Sequence, residues 1–124
     1  MKKEPLYNKK SRELLLSELQ KESFSRITCS FYRYTQIKDP VSFRDVLYRE
    51  WNELNVFGRI YIAKEGLNAQ FSCPEHYWDL FKTSLESHEI LKAIDLKIAV
   101  QDGESFYKLT IKIKDEIVAY GVDD

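Results

Sequence analysis

The sequence predicts a two-layer α+β domain, an antiparallel sheet with two helices on one of its faces. Three observations predict it. Several short segments alternate apolar and polar residues at strand period. Two longer segments carry apolar residues at helical spacing and lie between the strand segments. Glycine and proline are scarce, four and three in 124 residues, which favours long regular elements over free loops.

The elements follow in order. "SRELLLSELQ", residues 11–20, reads as a short helix with Ser11 as N-cap. It has only Leu14, Leu15, Leu16 and Leu19 to bury, so residues 1–23 are expected to form a peripheral N-terminal arm and 24–124 the domain proper. "SRITCSFYRYT", residues 25–35, places Ile27, Cys29 and Phe31 on one face and Thr28, Ser30, Tyr32 and Tyr34 on the other. "IKDP" breaks this strand, with Asp39 a candidate N-cap and Pro40 at the first helical position. The helix over "VSFRDVLYREWNELN" has Phe43, Val46, Leu47, Trp51 and Leu54 to pack, and Asn55 marks its end.

"VFGRIYIA" runs into the turn Lys64-Glu65-Gly66, and "LNAQFSC" leaves it, as in a tight hairpin whose Gly66 supplies a positive φ. Glu65 and Gly66 are therefore assigned to a structural turn. Pro74 opens a second helix, "PEHYWDLFKTSLES", with Glu75 in the first turn and Tyr77, Trp78, Phe81 and Leu85 available for packing. "IDLKIAV" is a weaker strand signal. In the last strong strand, "FYKLTIKIK", Tyr107, Leu109, Ile111 and Ile113 alternate with Lys108, Thr110, Lys112 and Lys114. The order β-α-β-β-α-β, with extra strand material before the last element, is that of a ferredoxin-like split βαβ sandwich.

Composition narrows the function classes. A hydrophobic content of 44% supports a folded core, and a net charge of -1 with a pI near 6.1 excludes a global basic field. Contact with a polyanion would require a local patch. If the apolar strand residues face the helices, Tyr32, Tyr34, Arg59, Asn68, Gln70, Lys108 and Lys112 share the opposite, open face. Tyrosines interleaved with lysines on a sheet are a pattern on which bases stack while cations meet phosphates. The third strand carries amides where an RNA-recognition motif needs rings, so that motif is not expected. A polar face covered by solvent or by another domain is the competing reading.

Catalytic and metal sites are hard to assemble. Cys29 and Cys73 fall in strands and read as buried free thiols. His76 and His88 lie 12 residues apart and read as surface residues. Acylphosphatase, an enzyme of this topology, uses an arginine in an anion-cradling loop together with an asparagine. Arg33 and Asn68 are the nearest counterparts, but "YTQIKDP" has no glycine to form the cradle. No catalytic residue, metal site or bound cofactor is expected in this chain. Neither a secretory leader nor a membrane span is evident, and a cytoplasmic protein without a DNA partner is expected.

"SFYRYTQIKDP", "LNVFGRIYIAKEGLNAQFS" and "KIKDEIVAYGVDD" are similar to the amino-terminal region of the bacterial rhodanese-related proteins of the UPF0176 family, from about residue 27 onward. The resemblance implies an accessory domain followed, after residue 124, by a rhodanese domain with a C-x-x-G-x-R loop. It also implies oxygen-dependent conversion of the wobble uridine of certain tRNAs to 5-hydroxyuridine. Molecular oxygen would be cosubstrate, and tRNA and the rhodanese domain would be the partners. Neither cysteine here is followed by that glycine and arginine, so neither inherits the catalytic role. Two alternatives stand beside this reading: a structural interaction domain with no RNA contact, and a small acylphosphatase-like enzyme.

Overall fold

The computed structural model describes residues 11–99 and 106–117. Helix α1 spans Arg12–Gln20, and its N-cap Ser11 accepts from the Leu14 N–H. Strand β1 spans Arg26–Tyr34. Helix α2, Pro40–Glu53, begins as its sequence dictates: the Asp39 side chain accepts from the Ser42 N–H, and Pro40 occupies the first turn, where its missing N–H costs nothing. Asn55 ends it with a positive φ of 57°.

Strands β2 (Phe57–Ala63) and β3 (Gly66–Pro74) form the hairpin, with Ala63 opposite Gly66. Pro74 closes β3 rather than opening a helix. A 3₁₀ turn over Glu75–Tyr77 precedes helix α3, Trp78–Glu86. A second 3₁₀ turn, Glu89–Leu91, leads to the two-residue strand β4, Lys97–Ile98, and β5 is Leu109–Ile113. Phe106 and Tyr107, assigned to the last strand from the sequence, precede it.

The sheet order is β4-β1-β3-β2-β5. Its first four strands are the split βαβ arrangement: β3 lies between β1 and β2 and is antiparallel to both, and β4 is antiparallel to β1. The expected closing strand is displaced. The weak segment around Lys97 takes the fourth position, and β5 joins the opposite edge, parallel to β2. The sheet is therefore mixed rather than wholly antiparallel. The β5 ladder continues past its ends, with the Gly58 N–H donating to the Lys108 carbonyl and the Lys114 N–H to that of Ile62, each at 2.8 Å.

The core lies between the sheet and the two helices. Phe31, Ile60, Ile62, Leu67, Phe71 and Cys73 meet Leu47, Trp51, Phe81 and Leu85 there. Trp51 is the centre, with ring centroids 5.8 Å from Phe71 and 5.1 Å from Phe81. Val46, expected in the core, is largely exposed. Gly58 is dictated by packing: a Cβ there would lie 2.3 Å from the Gln70 carbonyl oxygen and 2.5 Å from Phe71 Cα.

Candidate functional site

Strand register decides which side chains leave the sheet away from the helices. Tyr32 stands opposite Asn68, which stands opposite Tyr61, which is level with Lys112. One row further along, Ser30, Gln70, Arg59 and Thr110 are aligned in the same way. Lys97 continues this row beyond Ser30 on β4. Tyr32, Asn68, Lys112, Gln70 and Arg59 thus lie on one face in two adjacent rows, with Tyr34 in a third row opposite Gly66 and Lys108 just before β5.

Their accessibility differs. Tyr32 and Tyr34 are 40% and 55% exposed and meet edge to face, with centroids 5.7 Å apart. Arg59, Lys108 and Lys112 are exposed, and Lys114 places its Nζ 5.1 Å from the centre of the Tyr61 ring. Asn68 is only 2% exposed, and both Asn68 and Gln70 already have interaction partners. The amides therefore organise the middle of the face, while the tyrosines and cations present it. None of the five described strands contains an aspartate or glutamate, whereas they carry Arg26, Arg33, Arg59, Lys97 and Lys112. On the open face this segregation leaves Arg59, Lys97 and Lys112, joined by Lys108 just before β5, as the local basic patch that the net charge hides. Arg33 leaves on the other face, and Arg26 is paired with Glu22.

Glu65 and Gly66 sit in the turn that edges this face. Lys64 and Glu65 both keep negative φ, and Gly66 takes φ +148°. A Cβ on Gly66 would lie 2.0 Å from the Arg33 carbonyl oxygen. The turn is pinned to the chain leaving β1: the Thr35 N–H donates to the Glu65 carbonyl and the Ile37 N–H to that of Lys64. Backbone geometry thus accounts for the glycine, and the exposed Glu65 side chain contributes nothing to the pinning.

A residue that sequence reasoning missed anchors the other end. Arg26 leaves β1 on the open side and grips Glu22 through two bonds of 2.7 Å. It also donates to the Asn55 carbonyl and to Ser72 Oγ, and stacks 4.0 Å from the centre of the Phe57 ring. It ties the N-terminal arm to the sheet. Leu15 and Leu19 of α1 are themselves buried, so this arm is less peripheral than its composition implies. The clue was present, since Glu22 and Arg26 are four residues apart, but a strand start gives such spacing no meaning until the fold is known.

The alternative chemistries are not assembled. Arg33 pairs in register with Leu67 and Asn68 with Tyr32, so Arg33 and Asn68 leave the sheet on opposite faces, and Arg33 donates to the Lys92 carbonyl. Cys29 and Cys73 face the helices. Burial pushes their thiols up to about 11 and about 12 respectively, which keeps them protonated at neutral pH. His88 Nε2 lies 2.8 Å from Glu50 Oε1, which also accepts from Ser84 Oγ, so this histidine joins α2 to the end of α3. No group of three metal-ligating side chains occurs among the described residues, and no helix among them is long and apolar enough to cross a membrane.

A split βαβ sheet with a partly exposed basic and aromatic face, and no catalytic cradle among its described residues, defines an acylphosphatase-like domain by architecture rather than by chemistry. Residues 26–117 match the family model described as the UPF0176 acylphosphatase like domain. The chain belongs to the UPF0176 family. It is 50% identical over 124 residues to a protein named tRNA uridine(34) hydroxylase in Leptospira interrogans, and the match covers 99% of this chain and 34% of that protein. It is 49% identical to a protein of the same name in Pectobacterium atrosepticum, with 96% of this chain and 34% of that protein covered. The chain thus spans about a third of the length of these relatives. Among solved structures, the dark state of BlrB, a BLUF protein, is similar in fold, with a TM-score of 0.52, 12% identity and 74% of each chain covered.

Proposed function

We propose that this chain is the accessory domain of a tRNA uridine hydroxylase and that its open face grips tRNA. The observation that carries this reading is the exposed Tyr32–Tyr34 pair on a sheet whose described strands hold cations and no acids. Rings offer stacking surfaces to unpaired bases, and Arg59, Lys108 and Lys112 offer charge to phosphates. The names of the relatives supply the polyanion. Oxygen-dependent conversion of the wobble uridine to 5-hydroxyuridine, with molecular oxygen as cosubstrate, then belongs to the remaining two-thirds of the protein. The rhodanese domain expected there is the second partner of this domain, and the cytoplasm is its compartment. Protonated thiols and the separation of Arg33 from Asn68 support a binding role for the domain over a catalytic one.

Filter binding of tRNA to the full-length protein tests the reading. Lys108→Glu with Lys112→Glu is expected to weaken binding about tenfold or more. It should also flatten the dependence of log affinity on log salt by about 0.7–0.9 for each phosphate no longer neutralised. Unchanged affinity would overturn the reading. The competing reading, a face covered by the rest of the polypeptide, draws on Asn68 and Ser72, which are polar yet already buried. It predicts that the same charge reversal lowers the stability of the full-length protein and leaves RNA affinity alone.

A further inference from the structure

The open face also holds a concavity that neither the strand alternation nor the tyrosine pair anticipates. A cleft of about 230 Å³ lies over β1 and β3, lined by Thr28, Ser30 and Gln70, with Lys97 on β4 and the half-buried Phe106 also bordering it. Phe106 borders a second, smaller hollow of about 40 Å³, shared with Arg59, Lys108 and Thr110. One aromatic ring is therefore common to two recesses, with Lys97 on one side and Arg59 and Lys108 on the other.

We propose that the larger recess is a subsite for one unpaired base of an RNA strand, a proposal that rests on the open-face reading above. Size argues first. The cleft exceeds the ~10–15 Å³ that a single water needs and falls below the roughly 300–1,000 Å³ of pockets that take drug-sized ligands. A flat heterocycle is the ligand class of that scale. Chemistry argues second. Phe106 supplies a ring on which any base can stack, and the hydroxyls of Thr28 and Ser30 offer donors and acceptors to a base edge. Thr28 Oγ1 lies buried beneath the cleft wall with no hydrogen-bond partner, so a base edge would satisfy it once the Thr28 side chain turns its hydroxyl toward the cleft. Charge argues third. Cations border both recesses that share the ring, as the phosphates before and after a stacked nucleotide require, and none of the described residues lining either recess is an acid. The smaller hollow has room for a water and not for a second base. An acidic peptide would match the cations but would leave the ring and the uncharged hydroxyls without a role.

The test compares two strands on the full-length protein by fluorescence anisotropy: labelled pentauridylate, and the same strand with its central base removed. The intact strand is expected to bind about tenfold more tightly, the scale of one base–aromatic stack. Phe106→Ala and Phe106→Leu should both bring this ratio close to one, the leucine variant keeping apolar bulk to protect the fold. Thr28→Val should lower the ratio severalfold. Lys112→Glu should weaken both strands equally and leave the ratio intact. If the wild-type protein does not distinguish the strands, or if both Phe106 variants keep the ratio, the base subsite is refuted, and tRNA binding sensitive to Lys112→Glu would still uphold the open-face reading. If neither strand nor tRNA binds, both proposals fall. A Thr28→Val variant that gains thermal stability and keeps the full ratio assigns that hydroxyl to water and also counts against the subsite.

Discussion

The two faces of this sheet are made by the same strands and obey different rules. Toward the helices, Phe31, Ile60, Ile62, Leu67, Ala69, Phe71 and Cys73 are all fully buried and closed over by Trp51 and Phe81. On the other side, residues one position away along each strand include exposed Tyr32, Tyr34, Arg59 and Lys112. Charge follows the same division. The two helices carry Asp45, Glu50, Glu53, Asp79 and Glu86 against Arg44, Arg49 and Lys82, while the described strands carry bases alone. The inner face is explained entirely by burial. Burial does not explain two neighbouring tyrosines left half in water, and that unexplained surface is where function is sought.

The comparison can be broken first on the inner face, where the largest effects are expected. Trp51→Ala removes the ring that links Phe31, Phe71 and Phe81, and a loss of about 3–5 kcal/mol in urea unfolding is expected. Trp51→Phe should cost distinctly less, because the buried indole N–H has no partner to lose. Gly66→Ala, at the hairpin, should cost about 3 kcal/mol or more, since a Cβ would overlap the Arg33 carbonyl. If these variants unfold at wild-type urea concentrations, the account of the core is wrong.

On the outer face the signature is reversed. Tyr32→Ala and Tyr34→Ala are expected to change stability by less than about 1 kcal/mol and to reduce tRNA affinity about fivefold or more each. Equal losses in stability and affinity would erase the distinction between the faces. The remaining effect is absent at neutral pH and concerns the thiols. Cys29 and Cys73 have their pKa raised from 9.0 to about 11 and about 12, so the native state holds these protons more tightly than the unfolded chain does. Their contribution to stability is complete below about pH 9 and is lost as pH rises through the native values. A melting temperature that falls progressively between pH 9 and pH 11, with native thiols unreactive toward a thiol reagent at pH 8, is the expected result. Rapid labelling of either cysteine at pH 8 would contradict the burial of that face.

Much of this was legible because the signals are local. Ser11 and Asp39 cap helices through bonds to an N–H three residues on, Pro40 sits in a first turn, and Asn55 stops α2 in the left-handed region. Alternation sorted Tyr32, Tyr34, Arg59, Asn68, Gln70 and Lys112 onto one face because a strand repeats every two residues. Burial within that face was not legible. Asn68 and Tyr32 are directly opposed, yet one is covered and the other exposed. The Arg26 anchor and the cleft beside Phe106 were invisible for the same reason, since each joins residues far apart in the chain.

By itself, the sequence determined the element types, the caps, the hairpin and the two-faced character of each strand, all set by neighbours a few residues away. Tertiary structure alone decided which edge each late strand joins. Lys97–Ile98, the weaker segment, completes the split βαβ beside β1, and the stronger Leu109–Ile113 adds in parallel to β2. Alternation in β5 is satisfied by any edge that turns Leu109 and Ile111 toward the helices, so its pattern could not name the partner. The choice rests on contacts between distant parts of the chain: Gly58 and Ile62 of β2 offer the backbone groups that Lys108 and Lys114 complete. That choice also sets Lys108 and Lys112 beside Arg59, gathering on one face the charge that the chain's overall balance conceals.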